Sequence, residues 1–283
     1  MLSKEKSFEL GSKTIVMGIL NVTPDSFSDG GEFDSVEKAV KHAMQMLKDG
    51  ADIIDIGGES TRPGAKTVSI KEETNRVIPV IEEIVKKVDV PLSIDTYKTE
   101  IAKKALDVGV NMVNDVTALQ GDKKLVNLLA EYEVPICLMH MKGNPRNMQK
   151  NPEYDDIIYE IRSFLKERTE YAKFNGIKGE NIIVDPGIGF GKRTGRGVED
   201  NCEILRRLAE FKTLGHPILV GASRKTFIGN VCGGKNPLTV NERLYGSLAA
   251  ATVAVANGAD IIRAHDVKET RQCVDLVDCI VRK

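Results

Sequence analysis

Short apolar runs alternate with helical patterns along this chain, and the alternation predicts an α/β fold: a single (β/α)8 TIM barrel with an N-terminal β-hairpin, forming one domain over residues 1–283. Three observations carry that expectation. Nearly every apolar run ends in a polar or charged side chain (Asn21, Asp55, Asp95, Asn114, Asp185, Arg263), as it would if one pocket were built from many strand ends. The chain also repeats itself: Gly50-Ala51-Asp52-Ile53-Ile54-Asp55 recurs as Gly258-Ala259-Asp260-Ile261-Ile262-Arg263 and, more loosely, as Gly109-Val110-Asn111-Met112-Val113-Asn114. In each copy a helical pattern stops at a glycine and a short strand follows, placing Asp55, Asn114 and Arg263 at one offset. Finally, the strands count to eight.

Taken in order, those strands are Thr14–Leu20, Ala51–Ile56, Pro91–Asp95, Met112–Asp115, Pro135–Met139, Ile182–Asp185, Pro217–Gly221 and Ile261–Arg263. Phe8–Leu10, a turn at Gly11-Ser12 and the first strand read as the hairpin below the barrel. Helical periodicity fills the gaps at Ser35–Asp49, Thr99–Val108, Lys123–Glu131, Tyr154–Phe174, Asp200–Lys212, Asn241–Asn257 and Lys268–Val281. A further helix opens at the capping box Ser69-Ile70-Lys71-Glu72. An open doubly wound sheet should carry a Gly-rich fingerprint after its first strand, and Asn21–Gly31 lacks it.

The 40 basic and 41 acidic residues nearly cancel, which leaves no global field for nucleic acid or a membrane surface, so an anion must be held by a local cluster. Met1–Leu10 is charged where a signal peptide needs an apolar core, and Leu248–Ala256 is too short to span a bilayer. Five cysteines with no Cys-x-x-Cys pair read as free thiols of a cytoplasmic protein.

The strand-end loops carry the chemistry. Asn21, where the first strand ends, offers a carbonyl oxygen to a hard cation such as Mg²⁺, and Phe27 in the polar loop beyond it suggests a lid over an aromatic ligand. The second loop, Gly57–Gly64, sets Ser60, Thr61 and Arg62 on pliant backbone suited to a phosphate or carboxylate. Asp95, Asn114 and Asp185 match a heterocycle with several N–H donors; helix capping or inter-strand hydrogen bonding is the alternative account, a serious one for Asp95 and a weaker one for Asp185. Three glycines in Asp185-Pro186-Gly187-Ile188-Gly189-Phe190-Gly191 bring backbone close to a ligand, and Lys225 would pair with Asp185. Arg263 and His265 flank Ala264 and share one side of the last strand, where barrels often bind phosphate. His42 reads as a helix-surface residue and His140 as structural.

Together these segments resemble the dihydropteroate synthase family. The matching stretches include Met17–Gly31, Gly50–Ala65, Ser93–Asp95, Asn114–Val116, Met139–Gly143, Asp185–Lys192, Ser223–Lys225 and Gly258–His265. The resemblance implies a barrel, a cytoplasmic homodimer, and a Mg²⁺-dependent transfer in folate biosynthesis that joins 4-aminobenzoate to (7,8-dihydropterin-6-yl)methyl diphosphate. It implies that Asp95, Asn114, Asp185 and Lys225 hold the pterin between Met139 and Phe190. Arg263 would stack on the ring and, with Asn21, Thr61 and His265, hold the diphosphate. Ser223, Arg62, Pro63 and Phe27 would shape the aminobenzoate site, and Asp29 would help stabilise a cation. One stretch departs from the family: Arg193–Asp200 intervenes before Asn201 as an insertion.

Two other readings are weighed. A methyltetrahydrofolate:corrinoid protein methyltransferase of the same barrel family needs no diphosphate contacts, and Ser223-Arg224-Lys225, the first loop and Arg62 argue against it. A non-catalytic pterin-binding module predicts binding without turnover.

Overall fold

In the computed structural model, which describes residues 11–23, 32–60, 64–65, 67–144, 147–195 and 198–282, eight parallel strands form a barrel with helices between them. The strands are β1 (Ile15–Asn21), β2 (Ile53–Gly57), β3 (Leu92–Asp95), β4 (Met112–Asp115), β5 (Ile136–Met139), β6 (Ile182–Asp185), β7 (Leu219–Val220) and β8 (Ile261–Ala264). Each pairs with its sequence neighbour, and β8 pairs with β1. Between β6 and β7 the ring is closed by a single parallel bridge, Val184 to Ile218, with Val184 N donating to Pro217 O at 2.9 Å. The expected hairpin strand Phe8–Leu10 lies outside the described residues.

The repeat has a physical meaning at the barrel's lower end. Gly50, Gly109 and Gly258 all take positive φ (98°, 120° and 100°), which frees each helix end to turn into the next strand. The residue two places on accepts the first free N–H of a neighbouring strand. Asp52 Oδ2 accepts from Val16 N at 2.8 Å, Asn111 Oδ1 from Leu92 N at 3.1 Å, and Asp260 Oδ2 from Ile218 N at 2.9 Å. Buried backbone donors are thereby satisfied where the ladder begins.

Strand parity divides the core. Ile15, Met17, Ile53, Met112, Ile183 and Ile261 fill the lower barrel, while alternate residues such as Val16, Leu20, Ile54 and Ile94 pack against the helices. Continuing the inward parity upward reaches Asp55, Asp95, Asn114, Met139, Asp185 and Arg263, so the same alternation that plugs the floor aims the polar side chains into the mouth.

The helices are α1 (Glu32–Lys48), α2 (Ile70–Val85), α3 (Thr99–Val108), α4 (Leu125–Tyr132), α5 (Ile157–Phe174), α6 (Asp200–Arg206), α7 (Thr226–Gly233), α8 (Leu244–Ala256) and α9 (Val267–Val281). α1 begins three residues earlier than expected, at Glu32, and α8 three later, at Leu244 after a 3₁₀ turn at Val240–Glu242; three further elements also differ from the periodicity. The helix expected from Tyr154 begins at Ile157, because the Asp156 carboxylate accepts from Ile158 N and Tyr159 N and caps it there. The expected helix Asp200–Lys212 gives way after α6 to a 3₁₀ segment, Leu208–Leu214, whose three-residue turn buries Leu208 and Phe211 together before Gly215 ends it. α7 is additional, a short helix stopped at Gly234 with φ 58°. Ser69 caps α2 as expected, its Oγ accepting from Glu72 N at 3.1 Å. In the stretch after Lys192, Thr194–Gly195 and Val198–Glu199 pair as a two-stranded antiparallel ribbon, with Arg193 paired to buried Asp200 at 3.0 Å.

Asp260→Ala should therefore cost about 1–3 kcal/mol of stability by stranding the Ile218 N–H. Urea denaturation should show the lowered midpoint; a wild-type midpoint would remove this contact from the barrel's closure.

Candidate active site

The three side chains at the repeat offset meet at one oxygen. Asp55 Oδ2 accepts from Asn114 Nδ2 at 2.9 Å and from Arg263 Nε at 2.6 Å. The Arg263 Nη2 donates in turn to Asp95 Oδ2 at 2.9 Å, so one guanidinium spans two carboxylates. Asp55 is fully buried, and its second oxygen, Oδ1, has no hydrogen-bond partner; neither has the buried Ser93 Oγ on the adjoining strand. Burial drives the Asp95 carboxyl up to about 7, with Arg263 opposing the rise. Burial works against the charge on Arg263, but Asp55 and Asp95 more than offset it and hold the guanidinium protonated.

Opposite this cluster, Asp185 ends β6 and accepts from Gly187 N at 2.7 Å. Burial raises its carboxyl, and Lys225 is the foremost group opposing that rise. Lys225 donates from Nζ to Ile188 O and lies 4.2 Å from the Phe190 ring centroid. Burial lowers its ammonium to about 7, with Asp185 pulling the other way. Asp185 and Lys225 face the same region, but the lysine's hydrogen bond goes to backbone and not to the carboxylate expected as its partner.

The glycines of Asp185–Gly191 answer to the protein's own chain. A Cβ on Gly187 would lie 1.9 Å from His140 O, one on Gly191 would lie 2.4 Å from Lys142 O, and one on Gly189 would meet the Lys225 stem at 2.9 Å. Close approach is required here, as expected: Gly187 and Gly191 lie against the segment after β5, and Gly189 against Lys225. Sequence reasoning gave Lys192 no role; it is 1% exposed and donates to Gly187 O and Phe190 O, both at 2.9 Å. Its Nζ also lies 3.0 Å from His140 Nδ1. Burial, with Lys192 beside it, pushes the His140 imidazole well below its usual range.

Across the mouth, Ser223 Oγ shares a 3.0 Å hydrogen bond with His265 Nδ1 and accepts from His265 N at 3.2 Å, tying β7's extension to β8's. Arg224, at φ 56°, turns away to Asp266. Asn21 ends β1 beside Gly57, and Met139 ends β5 beside Asp185. The structure thus gathers Asn21, Asp95, Asn114, Met139, Asp185, Phe190, Ser223, Lys225, Arg263 and His265 on one rim. Phe27, Asp29, Thr61, Arg62 and Pro63 lie outside the described residues. Asp55 is the central residue that sequence reasoning noticed at a strand end without giving it a role. Its offset, shared with Asn114 and Arg263, was the available signal.

Comparison with known proteins follows the same residues. The family described as pterin binding enzyme matches residues 17–265. A Synechocystis protein named dihydropteroate synthase is 47% identical over 275 residues, 97% of this chain and 93% of its own. The Clostridium difficile dihydropteroate synthase, crystallised in the presence of pteroic acid, superposes with a TM-score of 0.90 at 46% identity, over 98% of this chain and 100% of that one. The Xanthomonas albilineans enzyme with 4-aminobenzoic acid gives 0.88 at 43% identity, over 96% and 94%.

The Asp95 titration has a consequence for stability. Its folded value, about 7, lies above the ordinary 3.8, so its contribution is full below pH 3.8 and is lost as pH rises through about 7. Asp95→Asn should remove that part of the slope, and unfolding free energies measured across this window should converge on wild type at the acid end. Parallel profiles for the two proteins would show that Asp95 titrates normally.

Proposed function

The chain belongs to the dihydropteroate synthase family of pterin-binding enzymes, and from that premise we propose how its own residues carry the reaction. The activity is that of a transferase in folate biosynthesis, which joins 4-aminobenzoate to (7,8-dihydropterin-6-yl)methyl diphosphate and releases diphosphate. The observation that carries the assignment of roles is the convergence of Asp95, Asn114, Asp185, Lys225 and Arg263 on one rim, acidic and amide groups on one side and the two cations on the other.

Asp95, Asn114 and Asp185 accept and donate along the polar edge of the pterin, with Lys225 at the same edge and Met139 and Phe190 as apolar walls. An edge with several N–H donors suits carboxylates that are desolvated and held in place, because each contact replaces one lost to water. Arg263 lies flat between Asp55 and Asp95, from where its guanidinium face is available to the ring and its charge to the diphosphate. His265, oriented by Ser223, and Thr61 complete the anion contacts. Arg62, Pro63, Phe27 and Ser223 shape the aminobenzoate site.

Arg263 is engaged with Asp55 and Asp95, Lys225 with the Ile188 carbonyl, and none of these is set as a nucleophile beside a base. The residues therefore act by stabilising charge. The methylene C–O bond breaks, the leaving diphosphate takes the electron pair, and the carbocation left on the methylene is delocalised into the pterin. Asp29 stabilises that cation, the aromatic amine nitrogen attacks it to form the C–N bond, and the amine's proton passes to the released diphosphate or to solvent.

Mg²⁺ fits this donor set. A hard cation carried largely by phosphate and water needs one or two protein oxygens, and Asn21 offers one at the rim. No group of three or more His, Cys, Asp and Glu among the described residues could hold a metal ion by itself. Asn21 would hold the ion, which would neutralise charge on the departing diphosphate. We propose further that the protein works in the cytoplasm as a homodimer. All five cysteines are free, which suits a reducing compartment, and no helix among the described residues is long and apolar enough to cross a membrane. Exposed Val231, Tyr245 and Val253 on α7 and α8 offer apolar surface to a second copy.

Diphosphate release should depend strictly on 4-aminobenzoate, and Arg263→Ala should lower the rate roughly 10²-fold or more while the chain still folds. Release independent of 4-aminobenzoate, or full activity in the variant, would contradict the reading. Chelating divalent metal should weaken binding of the diphosphate ester far more than of the free pterin.

A further inference from the structure

Outside this rim, the described residues contain a second buried ionic cluster at the root of the loop after β2. Lys98, which precedes α3 and follows Asp95 by three residues, is 9% exposed. Its Nζ donates to Glu59 Oε2 at 2.5 Å, to Glu73 Oε2 at 2.5 Å and to Val68 O at 2.7 Å, so its three protons have three acceptors. The Glu73 side chain is 1% exposed, and its other oxygen accepts from Thr96 Oγ1 at 2.9 Å. Glu59 Oε2 also accepts from Val68 N at 3.3 Å.

The geometry is that of a staple. Glu59 stands where the loop leaves β2, and Val68 where it enters α2, so one ammonium closes both ends of the intervening segment 60–67. Gly58 is pressed onto α2 as well: a Cβ there would meet Val77 Cγ1 at 2.7 Å, and Arg76 donates to Gly58 O at 2.7 Å. A pair this buried is weak evidence of added stability, since an apolar replacement of similar volume often serves the core as well. Here the charge-assisted bonds offset the entropy of closing the loop and fix its ends relative to Asp95.

We propose that Lys98 is a positioning residue whose ammonium, by holding Glu59 and Val68 together, sets the affinity for 4-aminobenzoate while leaving the pterin site intact. This rests on the function proposed above, in which Thr61, Arg62 and Pro63 of that loop shape the aminobenzoate site. Lys98 touches neither substrate; it acts through the loop's ends.

The test is steady-state kinetics with each substrate varied in turn. Glu59→Gln weakens the staple at one end, and Lys98→Met with Glu73→Gln removes it without leaving the fully buried Glu73 carboxylate unpaired. In both, KM for 4-aminobenzoate should rise about tenfold or more while KM for the pterin diphosphate and the calorimetric pterin affinity stay within about twofold, and Lys98→Arg should restore part of the loss. If the double variant shows no cooperative melt, Glu59→Gln decides. Unchanged KM for both substrates, or equal rises for both, would overturn the proposal. A wild-type protein without 4-aminobenzoate-dependent diphosphate release would instead overturn the functional reading beneath it.

Discussion

Asp55 Oδ2 accepts from Asn114 and Arg263 at once, and the rest of the site depends on that shared acceptor. A fully desolvated carboxylate is tolerable only among donors, so Asp55 fixes the two side chains that satisfy it. A long arginine loses roughly 2 kcal/mol of rotamer freedom when ordered. In this protein that ordering takes place as the chain folds, before any ligand arrives. Arg263 then reaches Asp95, and the pair of carboxylates on either side of the guanidinium settles both the plane of the cation and the strand end where Asp95 sits. This is preorganisation in a physical sense, because the costs of placing the charges are met by the barrel's own core.

The same economy runs through the repeat. A glycine with positive φ, an Asp or Asn covering a neighbouring strand's N–H, two apolar residues of opposite facing, and a polar side chain at the rim form one unit used in three places. Closure at the bottom and chemistry at the top are thus two ends of one strand. Below the rim the ring is apolar, and the high thiol pKa of Cys137, pushed up by burial, leaves that side chain inert beneath the polar layer.

Much of this is legible in the residues alone. The barrel follows from strand count and alternation, and the rim residues follow from their places at strand ends. The legible part stops where a side chain has a choice of partner. The spacing of Asp185–Gly191 states that backbone must come close to something, but only the fold shows that it is the carbonyls of His140 and Lys142. Lys192 and Lys98 look like surface lysines in sequence; Lys98 is buried among acceptors from distant segments, and Lys192 among the carbonyls of its own glycine-rich loop with His140 beside them. Asp55 shared its offset with two site residues, yet a carboxylate that faces its own chain and one that faces a ligand have the same sequence signature. Helix limits strayed where local caps overrode periodicity, at Asp156 and at the 3₁₀ turn after Arg206.

Whether Asp55 organises the rim from below is open to one direct measurement. Asp55→Asn keeps the shape of the side chain and removes the charge that holds Arg263. Calorimetric titration with a pterin should show affinity reduced about tenfold or more, although Asp55 Oδ2 is already taken by protein donors. Wild-type pterin affinity in a folded Asp55→Asn protein would mean that Arg263 and Asn114 find their places without Asp55, and would contradict the account.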